Sequence, residues 1–502
     1  MLEYNIQMTL QTKLKLIKNS KYFHFNVLLV AIIFSFCQHF HIIQKDIQGK
    51  HSWRQSQTMW NIRNFTRHDG NILNPRVNHF NTNHDNLFRY EFPIMQWSMS
   101  LCQKVFGEDI QVIRILTFII GIFSIFGMYF LVFLIFKNKN TALISAILFQ
   151  YSPVFYFYTV NPIPDNLSLC TVIWYIYFIL LFYENKQTKH LLLASFFLLL
   201  ATLSKLPFLL FSIISIYYFF RDIIQKKTIS RENIFNSFTQ LIFILPALLW
   251  YAWVIPGWQG NPILTGIFKT GLFNYENLMI LKFHFLKMFP LLLLSPPIWI
   301  LFVLGLISLK SAAVQSYFWL VLLILMTFLF LILEFSAINI VHDYYMFPFL
   351  PWLYIVIPFG IEYLKRMTKN YFIIISIICL VSAIYTPLYI SRNWKIEETY
   401  LNRDIFKYQS ELKNAIPQDA KCIILNDISN YVFSYLIDKR GYVFSNDRIE
   451  DGWVYDLIKN HGIKYMYSDS EKINSNPEIQ KYFHKTILTA GSVKVFELVE
   501  IK

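Results

Sequence analysis

Apolar runs of about the length needed to cross a bilayer recur along the whole chain, and they restrict its folding more than any other feature. They lie at 22–43, 112–136, 141–160, 167–183, 235–255, 285–307, 315–336, 345–363 and 371–390, with two shorter runs at 190–204 and 208–220. In hydrocarbon every backbone N–H and C=O must find a partner within the protein, so such runs are expected to be helices. At 55% hydrophobic and 15% charged, the 502-residue chain could not solvate them as a soluble protein. The formal charge of +14 would suit a nucleic-acid surface. Here, however, Lys and Arg cluster in the short loops between apolar runs, which is the positive-inside bias of a membrane protein.

Orienting the runs by those charges gives a polytopic α-helical membrane protein with about eleven spans. Lys13, Lys15, Lys18 and Lys21 put the N-terminus in the cytoplasm, and 22–43 reads as a retained span because it is too long for a signal peptide and lacks a small-residue cleavage site. The short runs 190–204 and 208–220 read as a re-entrant pair or as weakly tilted spans, and 263–283 as an element lying along the interface. Cys37, Cys102, Cys170, Cys379 and Cys422 are scattered, without metal-ligand spacing, and suit apolar packing. The spans occupy a transmembrane region, 1–391, with a large extracytoplasmic first loop at about 44–110. Beyond Arg392 the pattern changes to short strands (421–425, 441–444, 463–467, 485–489, 493–499) alternating with helices (429–438, 451–460), a small soluble α/β domain at 392–502.

Four polar clusters fall at the outer ends of the runs: His51-Ser52-Trp53-Arg54-Gln55, Pro164-Asp165-Asn166, Ser204-Lys205-Leu206-Pro207 and His342-Asp343-Tyr344-Tyr345. Ionisable groups beside a bilayer are costly unless they face a cavity or one another, so they mark functional sites. Residues 56–65 have helical character and would aim Arg54, Gln55 and Thr58 at one patch. Arginine offers a planar fork for phosphate oxygens and lysine a point charge, which makes Arg54 and Lys205 candidate phosphate ligands. Each has a plainer reading: Arg54, beside Trp53, as a headgroup anchor, and Lys205 as a snorkelling side chain.

In order, these features resemble the GT-C superfamily of polytopic glycosyltransferases, in the branch of protein O-mannosyltransferases and lipid A aminoarabinose transferases. The resemblance spans roughly residues 20–365 and rests on the large first loop, the stretch 62–75, the Pro93 element, Lys205–Pro207 and His342–Pro348. It implies a GT-C fold and an inverting glycosyltransferase in the plasma membrane, with its active site and C-terminal domain on the extracytoplasmic side. It implies a polyprenyl-phosphate sugar as donor, a glycan, lipid or protein as acceptor, and membrane lipids but no nucleic acid as partners. Within the resemblance Lys205 would neutralise the donor phosphate; Arg54, Arg63 and His342 are further candidates for that phosphate, His342 alternatively an interfacial anchor, and Trp53, Gln55 and Tyr345 are candidates for substrate contact. Most of the branch carries an acidic pair early in the first loop, and here those positions hold Arg54 and Gln55, as in a subgroup with a Trp-Arg-Gln signature. The usual base is thus missing. No cofactor is called for, no metal ligands are assigned, and a divalent metal is left open.

Three carboxylates are candidates for the base: Glu91, Asp165 and Asp46. Glu91 reads alternatively as a salt-bridge partner of Arg54 or Arg63, Asp165 as a helix N-cap, and Asp46 as an ordinary acid near a span end. Tyr344 and Tyr345 also suit an interfacial aromatic belt. Arg54, Glu91, Asp165, Lys205 and His342 are expected to share a pocket. Two other classes of function remain: a transporter or flippase of lipid-linked sugars, which would need a midplane site, and a non-catalytic envelope assembly factor.

Overall fold

The computed structural model describes residues 22–258, 275–311, 317–334, 338, 342–394, 401–445 and 449–501. It divides into a helical unit (Met1–Gln44, Arg114–Val160, Asp165–Ile390) and a mixed unit (Lys45–Ile113, Asn161–Pro164, Ser391–Lys502). The N-terminal lysines, and residues 263–274 of the expected interfacial element, lie outside the described residues.

Seven described helices are long and apolar enough to cross a membrane: Phe23–Ile43, Ile110–Phe136, Asp165–Asn185, Leu206–Lys226, Arg231–Gly257, Asp343–Met367 and Tyr371–Asn393. A bent pair, Tyr275–Leu293 and Pro296–Leu309, makes an eighth if counted as one span, and Thr188–Ser204 and Phe318–Leu333 are shorter apolar helices. Two runs expected to be continuous are broken. The run 141–160 divides into Lys139–Gln150 and Pro153–Tyr158, because Pro153 has no N–H to continue the ladder. The run 285–307 bends by 110°, with Ser295 in the left-handed region ahead of Pro296.

Breaks of this kind free backbone carbonyls where water is scarce, and side chains answer them. The Tyr151 carbonyl accepts from Thr386 Oγ1 (2.7 Å) and the Leu293 carbonyl from the Tyr354 hydroxyl (3.0 Å). Below Lys205, Pro207 cannot donate to the Leu203 carbonyl, and the Tyr251 hydroxyl takes its place at 3.0 Å. Glycine serves a different close approach. A methyl group on Gly360 would strike the backbone of Leu301 and Gly305, so Pro296–Ser311 and Leu350–Met367 cross backbone to backbone.

The mixed unit holds a five-stranded sheet of β1 (Lys421–Leu425), β2 (Arg440–Phe444), β3 (Tyr465–Ser468), β4 (Phe483–Ala490) and β5 (Val493–Leu498), in the order β2-β1-β3-β5-β4. β1 is parallel to β2 and β3, and β5 is antiparallel to β3 and β4. Ile423, Leu425, Val454, Met466 and Phe496 are buried at its core. The first loop is part of the same body. Its segment at 78–80 pairs with edge strand β2, the Phe80 N–H donating to the Gly441 carbonyl (3.0 Å) and the Gly441 N–H to the Asn78 carbonyl (3.1 Å). The pairing covers a strand edge that would otherwise be open.

The loop helix Ser52–Arg67 is tied to the sheet domain through Asp438. That carboxylate is almost wholly buried and meets Arg67 at 2.8 Å, Lys413 at 3.2 Å and Arg63 at 3.4 Å. Burial opposes its ionisation, but the three cations outweigh that penalty and bring it down to about 2 from an ordinary 3.8. A depressed folded-state value gives stability that is complete above about pH 4 and is lost as the pH falls toward 2.

Two outcomes are expected. Asp438→Asn should lower the stability of the detergent-purified protein by on the order of 2 kcal/mol, seen as a lower Tm at pH 7 and little difference from wild type near pH 2. Tyr251→Phe, which strands the Leu203 carbonyl, should cost about 1–3 kcal/mol in the same measurement.

Candidate active site

Lys205 stands where Thr188–Ser204 ends and the 3-10 turn Leu206–Ser212 begins. Pro207 forbids a continuous helix, so Lys205 takes an extended backbone (φ −160°, ψ 113°). Its ammonium lies 3.7 Å from Asp165 Oδ1 and 4.8 Å from the centre of the Tyr345 ring. The Tyr344 ring is further off at 6.0 Å. Among the described residues Lys205 donates no side-chain hydrogen bond, although the side chain is only 13% exposed.

Asp165 opens the helix Asp165–Asn185 after Pro164 and is 1% exposed. Its Oδ2 has no hydrogen-bond partner among the described residues, and the buried hydroxyls of Ser168, one turn on, and Ser204, beside Lys205, are likewise unpartnered. A buried carboxylate oxygen left without a donor costs energy unless something else binds there. A half-shielded ammonium with unused N–H groups, beside a carboxylate with an unused oxygen, suits a polar, anionic ligand. Glu334, at the end of Phe318–Leu333, lies within electrostatic range of Lys205 and also has an unpartnered oxygen, Oε2. Asp343 is fully buried and accepts from the Tyr158 hydroxyl at 2.8 Å. His342 precedes it, with its ring edge-on to Tyr344 and Tyr345 at 5.7 and 5.5 Å.

The other candidates lie in the mixed unit. Arg54 forms an ion pair with Glu91 and a hydrogen bond with Gln57, and all three side chains are largely buried. The salt-bridge alternative for Glu91 is therefore realised, with Arg54 rather than with Arg63. Gln57 donates onward to the Tyr431 hydroxyl (3.4 Å), whose titration burial pushes up. Glu91 was expected at the top of the second span, but a separate helix, Ile94–Phe106, comes between, started by Pro93. Arg63 faces away from that pair: it lies over the Tyr435 ring at 4.1 Å and donates to the Tyr435 carbonyl at 3.1 Å. Asp46 is engaged locally, accepting from the Ile47 N–H (2.7 Å) and the Gln409 amide (3.0 Å). Gln55 is 1% exposed and reaches the Lys50 carbonyl at 3.3 Å, while Trp53 is half-buried. His79, partly buried with its ring edge-on to Tyr431, is pushed down by desolvation to about 4. Among the described residues no group of three or more His, Cys, Asp or Glu could hold a metal ion.

Sequence reasoning passed over Glu334, Tyr158 and Tyr251. A lone acid closing an apolar run was a usable signal for Glu334. Tyr158 and Tyr251 sit in aromatic-rich stretches that look like ordinary packing.

Residues 91–250, which carry Glu91, Asp165 and Lys205, match the family model of dolichyl-phosphate-mannose-protein mannosyltransferases. No curated protein sequence matches the chain. Among solved structures, ArnT from Cupriavidus metallidurans in the apo state aligns over 96% of this chain and 99% of its own, at TM-score 0.65 and 10% identity. The same protein bound to undecaprenyl phosphate aligns with TM-score 0.64, at 11% identity and the same coverage. The Archaeoglobus fulgidus oligosaccharyltransferase in the apo form covers 92% of this chain and 73% of its own, at TM-score 0.55 and 13% identity. The chain has the GT-C fold of polytopic membrane glycosyltransferases.

Proposed function

We propose that the protein is an inverting glycosyltransferase that moves a sugar from a polyprenyl-phosphate carrier to an acceptor hydroxyl on the extracytoplasmic side of the plasma membrane. The observation that carries this reading is the Lys205–Asp165 pair, in which a cation with unused donors adjoins a buried carboxylate with an unused oxygen. The family model is named for a dolichyl-phosphate sugar donor, and structures of the same fold hold undecaprenyl phosphate or, in AglB from Archaeoglobus fulgidus, dolichol-phosphate with an inhibitory peptide. They support a lipid-phosphate donor.

In the proposed step the acceptor oxygen attacks the anomeric carbon while the bond from that carbon to the phosphate oxygen breaks. The electron pair leaves with the polyprenyl phosphate, and the acceptor proton passes to Asp165 Oδ2. Lys205 stabilises the charge that develops on the departing phosphate, usually the largest catalytic contribution. As the phosphate engages the ammonium, the carboxylate of Asp165 is left to take the acceptor proton. Asp165 is preferred to Glu91 and Asp46 as base because Glu91 is committed to Arg54 and Asp46 to Gln409. Tyr345 would pack beside the phosphate, with His342 at the rim.

Mass spectrometry of envelope glycans from cells with and without the protein should reveal one sugar that depends on it. Asp165→Asn should reduce formation of that product by at least about 10²-fold. Lys205→Met should do so by about 10²–10³-fold, with Tm and expression close to wild type in both. Full turnover in either variant would overturn the role of the residue replaced. Transfer of the intact sugar-phosphate lipid across vesicles, without cleavage, would instead indicate a carrier.

A further inference from the structure

The mixed unit contains a cleft that plays no part in the chemistry above. It is open to solvent and is bounded by Trp60, Arg63, Arg67, His68, Asp419 and Arg440. Its cations are unevenly answered. Arg63, Arg67 and Lys413 all converge on Asp438, so one carboxylate serves three positive charges. Glu108 takes a share of Arg67 at 2.6 Å. Arg440 is worse served. Its one ionic contact among the described residues is Asp419 at 3.7 Å, beyond hydrogen-bond length, and Asp419 is 87% exposed. An exposed pair of that geometry is worth little. Donors are also spare deeper in, since the buried Trp60 Nε1 has no acceptor among the described residues. The surplus is felt at His68, whose protonation is disfavoured by burial and by Arg440 and Arg67.

We infer that this cleft binds a compact oxyanion, phosphate or carboxylate, carried by a glycan, with the Arg440 guanidinium as its principal ligand. Arginine's planar fork matches both groups in a two-pronged contact. Asp419 then acts as a weak, displaceable placeholder that keeps Arg440 extended until the anion arrives. As part of the transferase reading, the cleft would recognise an acidic acceptor. The binding itself is independent of that reading, because it is measured without sugar transfer.

The full-length protein in detergent would be titrated with inorganic phosphate and, separately, with glucuronate, at ionic strength held constant with potassium chloride. Tryptophan fluorescence and Tm would both be followed, with Trp60→Phe identifying the signal from the cleft. At least one anion should bind saturably, and Arg440→Gln should weaken it by about tenfold or more. Asp419→Asn should tighten the same anion by about threefold, an effect that a merely structural role for Asp419 would not produce. A response to phosphate alone assigns a phosphorylated glycan, and a response to glucuronate alone a uronic acid. Absence of saturation by both anions, or unchanged affinity in Arg440→Gln, overturns the inference. Either result leaves the Asp165 experiment to be judged separately.

Discussion

A backbone buried away from water has to satisfy itself, and much of the helical unit follows from that requirement. An unbroken helix meets it automatically, but a site needs irregular backbone so that polar side chains can project inward. Proline interrupts the ladder at Pro153, Pro207 and Pro296, and each interruption frees carbonyls that must be answered. Thr386, Tyr251 and Tyr354 answer them from other helices, at 2.7, 3.0 and 3.0 Å. The tyrosines in this unit thus have a structural task beyond apolar packing. The break at Pro207 also puts Lys205 in an extended conformation, so the feature that would weaken a plain span is the one that presents the cation.

Electrostatics in the two units follow different rules. In the mixed unit one buried carboxylate is compensated in excess: Asp438 is held by three cations, and a helix of the first loop is thereby bound to a domain more than 300 residues away in sequence. In the helical unit the carboxylate of Asp165 is only loosely matched by Lys205, at 3.7 Å and without a hydrogen bond. A tight pair stabilises, whereas a loose buried pair is costly and is retained where a ligand completes it. That contrast gives Arg63 and Asp438 a structural task and sets apart Asp165 and Lys205 as the candidate site proposed above.

Much of this was legible in the linear chain. Apolar runs report helices directly, because spanning a bilayer requires both length and continuous apolarity. The strand and helix pattern after Arg392 was legible too, with boundaries displaced by up to three residues: β3 begins at Tyr465, and the helix expected from Ser429 begins at Val432. Pro164, Lys205 and Pro207 announced a break with a charge in it. Less legible was the helix Ile94–Phe106, whose mixed composition made it look like part of a loop, and the bend at Ser295, since a left-handed serine leaves no mark in composition.

By itself the sequence determined the class of protein: a multi-pass helical bundle with a small α/β domain, and polar residues concentrated at helix ends. It also singled out Arg54, Glu91, Asp165, Lys205 and His342 as candidates, because ionisable groups beside apolar runs are rare enough to be noticed. Only the tertiary structure decided the partnerships, pairing Glu91 with Arg54, Asp46 with Gln409 and Asp438 with Arg63 and Arg67. The physical reason is range. Apolarity and proline act on the residues next to them, whereas an ion pair depends on a distance of a few ångströms between segments that the chain brings together only when it folds.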